Sequence, residues 1–263
     1  MLQPLFLEEI DDDGIARVTL TRPEVHNAFN DILIAELTAA LHGLGTDDRV
    51  RAVVLAAQGR NFCAGADLNW MQRMAGYTEE KNLEDARALA GLMRTLNELP
   101  KPTIALVQGR AMGGGVGLVT CCDIAIAAET ANFTLSEVKL GLIPAVIAPY
   151  VIAAMGERPA RRYFLTAETF TAREARGFGL VHEVVPDEAL EDAGLKVLRA
   201  LGKGGPSAQV AAKDLIFAVS HRPIDDTVSE DTSARIARQR ASREGREGVA
   251  AFLEKRNPSW VKK

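Results

Sequence analysis

Gly109-Arg110-Ala111-Met112-Gly113-Gly114-Gly115-Val116-Gly117 lies between the apolar run Thr103-Ile104-Ala105-Leu106-Val107 and the apolar stretch Leu118-Val119-Thr120-Cys121-Cys122. A strand followed by packed glycines and then a helix leaves backbone N–H groups bare at a helix N-terminus. Such a terminus stabilises negative charge through hydrogen bonds and the helix dipole. A second glycine-containing loop, Cys63-Ala64-Gly65-Ala66-Asp67, stands upstream. Two loops of this kind converging on one oxygen atom would make an oxyanion hole. The competing reading is that Gly113-Gly114-Gly115 serves only close packing.

Working outward, Leu5 to Ile10 and Ala16 to Thr21 flank Asp11-Asp12-Asp13-Gly14, which reads as a β-hairpin. Ile32 to Leu44 has helical spacing and stops near Gly45. The compact apolar run Arg51 to Ala57 reads as a buried strand leading into the Cys63 loop. Thr78 to Leu99 is an amphipathic helix stopped by Pro100 and Pro102. Asp123 to Ala128 and Asn132 to Leu135 read as a further strand pair. The alternation predicts an α/β protein. From about Asp187 the pattern is almost wholly helical: Leu190 to Leu201, Ser207 to Val219, Asp226 to Ser242 and Glu247 to Lys255.

The 263 residues suffice to bury a large core, and 47% hydrophobic with 25% charged residues is ordinary for a globular protein. A net charge of −4 argues against a general nucleic-acid or membrane surface. No apolar stretch approaches the ~20 residues of a membrane span. Met1 to Ile10 turns acidic at once, unlike a secretory signal or an Arg-rich transit peptide. Cys63, Cys121 and Cys122 form no C-x-x-C pair, and a reducing cytoplasm is the expected setting.

Several common chemistries are absent from the text of the chain. The glycines do not give Gly-x-Gly-x-x-Gly with a later ribose-binding acid, no Gly-Lys-Ser/Thr follows them, and there is no Gly-x-Ser-x-Gly elbow. His26, His42, His182 and His221 are scattered without metal-ligand spacing, so no metal site is expected. Glu137 remains, between Phe133-Thr134-Leu135-Ser136 and Val138-Lys139-Leu140-Gly141-Leu142-Ile143-Pro144. A carboxylate in so apolar a setting has its charged form disfavoured, which suits proton shuttling near neutral pH. Equally open are a surface glutamate in a turn and, for Asp67, a plain helix cap.

Together these segments resemble the crotonase, or enoyl-CoA hydratase/isomerase, superfamily. Arg22-Pro23-Glu24-Val25-His26-Asn27-Ala28-Phe29 looks like its CoA-contact segment, and Phe62 to Leu68 like its first oxyanion loop. Gly109 to Gly115 with Cys122-Asp123-Ile124 resembles the second loop, Phe133 to Pro144 the catalytic-acid segment, and Glu247 to Arg256 the C-terminal helix. The resemblance implies a ββα spiral core over residues 1–195 and a C-terminal helical region over 196–263 that trimerises and completes the CoA pocket. It implies that the N–H groups of Ala66 and Gly114 hold the thioester oxygen of an acyl-CoA, each such donor being worth about 3–4 kcal/mol. Glu137 would be the catalytic acid. Val25, Ala28, Ala64, Asp67, Leu68, Gly113, Gly117, Ser136 and Pro144 would lie near the substrate. Phe252 and Lys255 would reach the adenosine end from a neighbouring subunit of a homotrimer or a dimer of trimers. Coenzyme A enters as part of the substrate, and no separate cofactor is implied.

One departure bears on the subclass. Two-glutamate hydratases of this family carry an acid two residues after the glycine triplet, where this chain has Gly117. Glu137 then stands alone, as in family members that are isomerases. Against that, Leu135 to Pro149 together with Cys121-Cys122-Asp123 looks most similar to bacterial hydratases of branched glutaconyl-CoA substrates. Those resemble the methylglutaconyl-CoA hydratases of leucine breakdown and the isohexenylglutaconyl-CoA hydratases of terpenoid breakdown. Hydratase is therefore preferred, with Gly117 expected to leave room for a β-branched chain. A carboxylated substrate calls for a cation, with Arg73, Arg110 and Arg158 as candidates. Trp70, Met71 and Met74 would line the acyl pocket or belong to the core. Some relatives bind RNA or acyl-CoA without catalysis, a reading opposed here by the acidic balance and the retained Glu137.

Overall fold

Alternation and continuous burial separate the strands of this chain by environment. The computed structural model describes residues 4–262; Met1–Gln3 and Lys263, the outer ends of the two expected regions, lie outside the described residues. Strand β1 (Phe6–Ile10) forms an edge, and β2 (Ile15–Leu20) buries every second residue beneath it. Next come β3 (Ala52–Ala57) and β4 (Thr103–Val107), buried almost throughout and nearly all apolar, as suits parallel strands covered on both faces. With β6 (Ile124–Ala128) and β9 (Glu183–Val185) they form a six-stranded sheet ordered β1-β2-β3-β4-β6-β9. Only the β1–β2 hairpin is antiparallel in it.

A second, smaller sheet joins β5 (Arg110–Met112), β7 (Asn132–Thr134) and β8 (Thr169–Thr171). Isolated parallel bridges, Cys63 to Ala111 and Phe29 to Ala66, carry its pairing pattern outward across two more segments. Each pass of the chain thus gives a strand in the large sheet, an extended piece in the second layer, and then a helix. Helix α1 (Asp31–Thr46) closes the first pass, α2 (Leu68–Met74) and α3 (Glu79–Asn97) the second, and α4 (Gly114–Cys121) the third. This is the expected ββα spiral. Helix α4 is buried along most of its length, as its all-round apolar sequence requires.

The structure corrects the expected layout in two places. The β4 strand does not run directly into the glycine helix, because the three-residue β5 intervenes. The expected strand pair also splits: β6 lies beside β4 in the large sheet and β7 beside β5 in the small one. After β7 come α5 (Ala148–Met155), α6 (Glu157–Thr166) and α7 (Ala172–Gly177). The tail is helical as expected, with α8 (Leu190–Leu201), α9 (Pro206–Val219), α10 (Asp226–Ala241) and α11 (Arg243–Leu253). Lys213 of α9 reaches back to the sheet, donating to Asp123 at 2.9 Å.

Candidate active site

The first glycine loop is held from both sides. Phe29 donates its N–H to Gly65 O at 2.7 Å and accepts the Asp67 N–H at 2.7 Å. Bonds to residues 65 and 67 bracket Ala66, so the Ala66 N–H points away from Phe29. On that far side Cys63 pairs with Ala111, through Cys63 N–H to Arg110 O (3.0 Å) and Met112 N–H to Cys63 O (2.9 Å). Three residues farther along both chains, the same register would set Ala66 opposite Gly114. The ladder opens instead at Gly113, whose φ of +49° turns the strand into α4. Gly65, at φ +89°, makes the matching bend in the first loop. Neither the Ala66 nor the Gly114 N–H finds an acceptor among the described residues.

The carboxyl group comes from the next pass. Gly113 donates its N–H to Thr134 O at 2.9 Å, which draws the end of β7 over the start of α4. The chain then makes a short 3-10 turn, Glu137–Leu140, closed by Gly141 in the left-handed region. Lys139 pins it by donating to Ala167 O at 2.8 Å. Glu137 Oε1 thereby lies 3.0 Å from where a Cβ on Gly113 would stand. Its Oε2 is buried and receives no hydrogen bond. Burial pushes the Glu137 carboxyl above the usual glutamate range, with its own backbone pulling weakly the other way.

A third segment locks the loops together. Asn27, fully buried, donates to Gln58 O (2.9 Å) and Asn61 O (2.8 Å) and accepts the Arg22 N–H (2.9 Å). Arg22 donates to Ala28 O (2.6 Å) and to Asp67 Oδ2 (2.8 Å). Asp67 also caps α2 through the N–H groups of Asn69 and Trp70. Burial alone would raise the Asp67 carboxyl, but the Arg22 guanidinium and the two N–H groups outweigh it and hold it below its usual value.

Gly113, Gly114, Ala66 and Glu137 thus meet in one place; in the segments beside them, Ala64 donates its N–H to His26 O at 3.0 Å and Val25 is half-buried. Ser136 directly precedes the acid, and its hydroxyl caps nothing. Pro144 is buried and accepts the Ala148 N–H at 3.0 Å. Leu68 is 76% exposed just beyond the first loop. Phe252 at the end of α11 and Lys255 just beyond it are exposed, and α11 packs on α9 and α10.

One expectation needs correction, and three readings that the sequence left open are narrowed. Asp67 is the helix cap that the sequence left open, its carboxylate shared between that cap and Arg22. Gly117 does not open space: a Cβ there would lie 3.1 Å from Met93 Sδ and 3.1 Å from Ile147 Cβ, with Ile147 Cγ2 closer still. Trp70 is core, buried and donating its indole N–H to Asp85 at 3.3 Å. Arg73 is paired with Asp31 at 2.6 Å. The sequence marks no individual role for Arg22, Asn27 or Phe29, because their pattern of partners exists only in three dimensions.

Two bare N–H groups beside a desolvated carboxyl suit chemistry in which negative charge gathers on a carbonyl oxygen while a proton moves. Comparison with known proteins agrees with that class. The enoyl-CoA hydratase/isomerase family model matches residues 11–263. An enoyl-CoA hydratase from Shewanella pealeana is 46% identical, with a TM-score of 0.95 over 98% of this chain and 96% of its own. The 1,2-epoxyphenylacetyl-CoA isomerase of Escherichia coli K12 is 34% identical over 96% of this chain and 97% of its own. The 2,3-dehydroadipyl-CoA hydratase of the same organism is 32% identical over 92% of this chain and 93% of its own. The chain belongs to the enoyl-CoA hydratase/isomerase family and has the crotonase fold. It is an enzyme of that family, and relatives of nearly equal identity carry both reaction names. Among the described residues no helix is long and apolar enough to cross a membrane.

Proposed function

We propose that this enzyme adds water across the 2,3 double bond of an enoyl-CoA, with Glu137 as its catalytic carboxyl and the Ala66 and Gly114 N–H groups as its oxyanion donors. The observation that carries this reading is the position of the Glu137 carboxyl over Gly113, next to two N–H groups that have no acceptor. As the carboxylate, Glu137 takes a proton from water while the water oxygen bonds to C3. The double-bond electrons move to the thioester oxygen, where the two N–H groups hold the resulting enolate. The protonated Glu137 then delivers its proton to C2, so that one water is added and the carboxylate is regenerated.

The preferred substrate is a branched glutaconyl-CoA, supported by the wording of residues 135–149 and by two arginines, Arg110 and Arg158, with no ion-pair partner among the described residues. Coenzyme A arrives with the substrate and no further cofactor is invoked. Val25, Ala28, Ala64 and Leu68 lie along the expected CoA path. The assembly is a homotrimer or a dimer of trimers in the cytoplasm, built on the region from residue 196 onward. Exposed Phe217, Ile236, Phe252 and Leu253 on its packed helices support such burial, and bring Phe252 and Lys255 to a neighbour's CoA.

A second reading is an enoyl-CoA isomerase, in which Glu137 moves one proton along the acyl chain. The apolar Ile147 and Met93 beside Gly117, where a second acid would otherwise stand, favour it. A panel of linear, β-branched and carboxylated enoyl-CoA thioesters, run in oxygen-18 water with products identified by mass, separates the two. Label in the product establishes hydration; double-bond migration without label establishes isomerisation.

A further inference from the structure

Phe29 touches both halves of the donor pair, in two different ways. Its backbone brackets Ala66 through bonds to Gly65 O and the Asp67 N–H, each 2.7 Å. Its ring lies beneath Gly114, where an added Cβ would stand 2.5 Å from Cε2 and 3.1 Å from Cδ2. The residue is 1% exposed, so it cannot meet a substrate. No backbone hydrogen bond links residue 66 to residue 114, because the ladder between their segments has opened by that point. Phe29 nonetheless ties the two together, its backbone fixing the Ala66 segment and its flat, rigid ring filling the space against the Gly114 backbone.

We propose that Phe29 is the positioning residue that sets the separation of the Ala66 and Gly114 N–H groups. The proposal rests on reading these groups as the donors to the thioester oxygen. A shift of about 1 Å in such a constellation costs on the order of 100-fold in rate. A smaller or flexible side chain lets α4 settle toward the first loop while leaving every backbone bond of residue 29 available.

The test uses the full-length enzyme with a conjugated dienoyl-CoA, whose absorption moves to the red when its carbonyl is polarised. Wild type bound to this thioester shows the red shift. Phe29→Leu and Phe29→Met, each checked for a cooperative thermal transition, lose most of it, and their kcat falls about 10- to 100-fold with KM changed by less than about threefold. In Phe29→Leu/Gly114→Ala the new methyl refills part of the space left by the ring, and the shift recovers relative to either single variant. A full red shift with wild-type kcat in both Phe29 variants overturns the proposal. No red shift in wild type overturns the donor reading itself, and the proposal with it.

Discussion

The side chain of Ile147 occupies the place that a Cβ on Gly117 would take. Ile147 is buried at the start of α5, and the same space is bounded by Met93 of α3 at 3.1 Å. The glycine is thus a close-packing contact between α4 and α5. What surrounds that position is hydrocarbon and thioether, with no carboxylate among its nearest atoms.

Gly117→Glu should therefore be destabilising rather than a graft of a second acid. Overpacking a filled site costs about 1–3 kcal/mol, and an unpaired carboxylate held there adds to it. Urea unfolding should show the loss, and Ile147→Ala in the same chain should restore part of it despite costing about 2–5 kcal/mol in wild type. An unchanged unfolding midpoint for Gly117→Glu would mean that the side chain finds open space.

Glu137→Gln should leave CoA affinity intact and reduce turnover by about 100- to 10,000-fold, as for loss of a general acid–base group. In wild type, kcat/KM should rise with pH on a limb displaced above the ordinary glutamate value of about 4.3, because burial raises the carboxyl. Stability should move oppositely. A carboxyl raised in the folded state binds its proton more tightly there than when unfolded, so wild type loses stability as pH climbs from the unfolded value through the folded one. The variant should then be the more stable protein at neutral pH, with the difference vanishing below about pH 4. Thermal melts of both across that range check the sign.

Much of this site is written locally. Gly65, Gly113 and the apolar frame around Glu137 are visible because a bend or a buried acid leaves its mark on its neighbours in the chain. The single buried run of β4 and the capped α3 are legible for the same reason. Strand β5 was not, since Arg110–Met112 is too short to show a period and is extended only because Cys63 and Asn132 pair with it. The filling of Gly117 by Ile147 depends on a contact between two helices that only the fold creates. Phe29 reads as one apolar residue among many until its ring is seen beneath Gly114.

Asp67 gives the structural counterpart to Glu137. Its pair with Arg22 is 6% and 13% exposed at the side chains, and loss of one partner from a buried pair costs about 3–5 kcal/mol. Asp67→Ala should lower stability by that order and weaken CoA binding indirectly, through displacement of the 22–29 segment. The folded carboxyl is held below its usual value, so its contribution is complete above about pH 3.9 and lost as pH falls through the lower folded value. Asp67→Asn, which keeps one cap acceptor, should fall between. Equal melting of wild type and Asp67→Ala would show that the pair contributes nothing net.

The carboxylate of a glutaconyl-type substrate needs a partner, and the three arginines are now unequal. Arg73 is committed to Asp31 at 2.6 Å. Arg158 has no ion-pair partner among the described residues and sits on α6, which packs against the turn carrying Glu137. A charged hydrogen bond contributes about 1.5–3 kcal/mol, which corresponds to about 10- to 100-fold in binding. Arg158→Gln should raise KM for a carboxylated enoyl-CoA by that factor and leave an uncharged, β-branched analogue unaffected. Arg110→Gln serves as the parallel arm, since its side chain is exposed at the edge of β5, and Arg73→Gln should have no such selective effect. If both thioesters lose affinity equally, the arginine is acting on the CoA phosphates. If neither the Arg158 nor the Arg110 variant separates the two substrates, the enzyme does not read a second carboxylate, and the branched glutaconyl assignment fails while the hydratase chemistry of Glu137 stands.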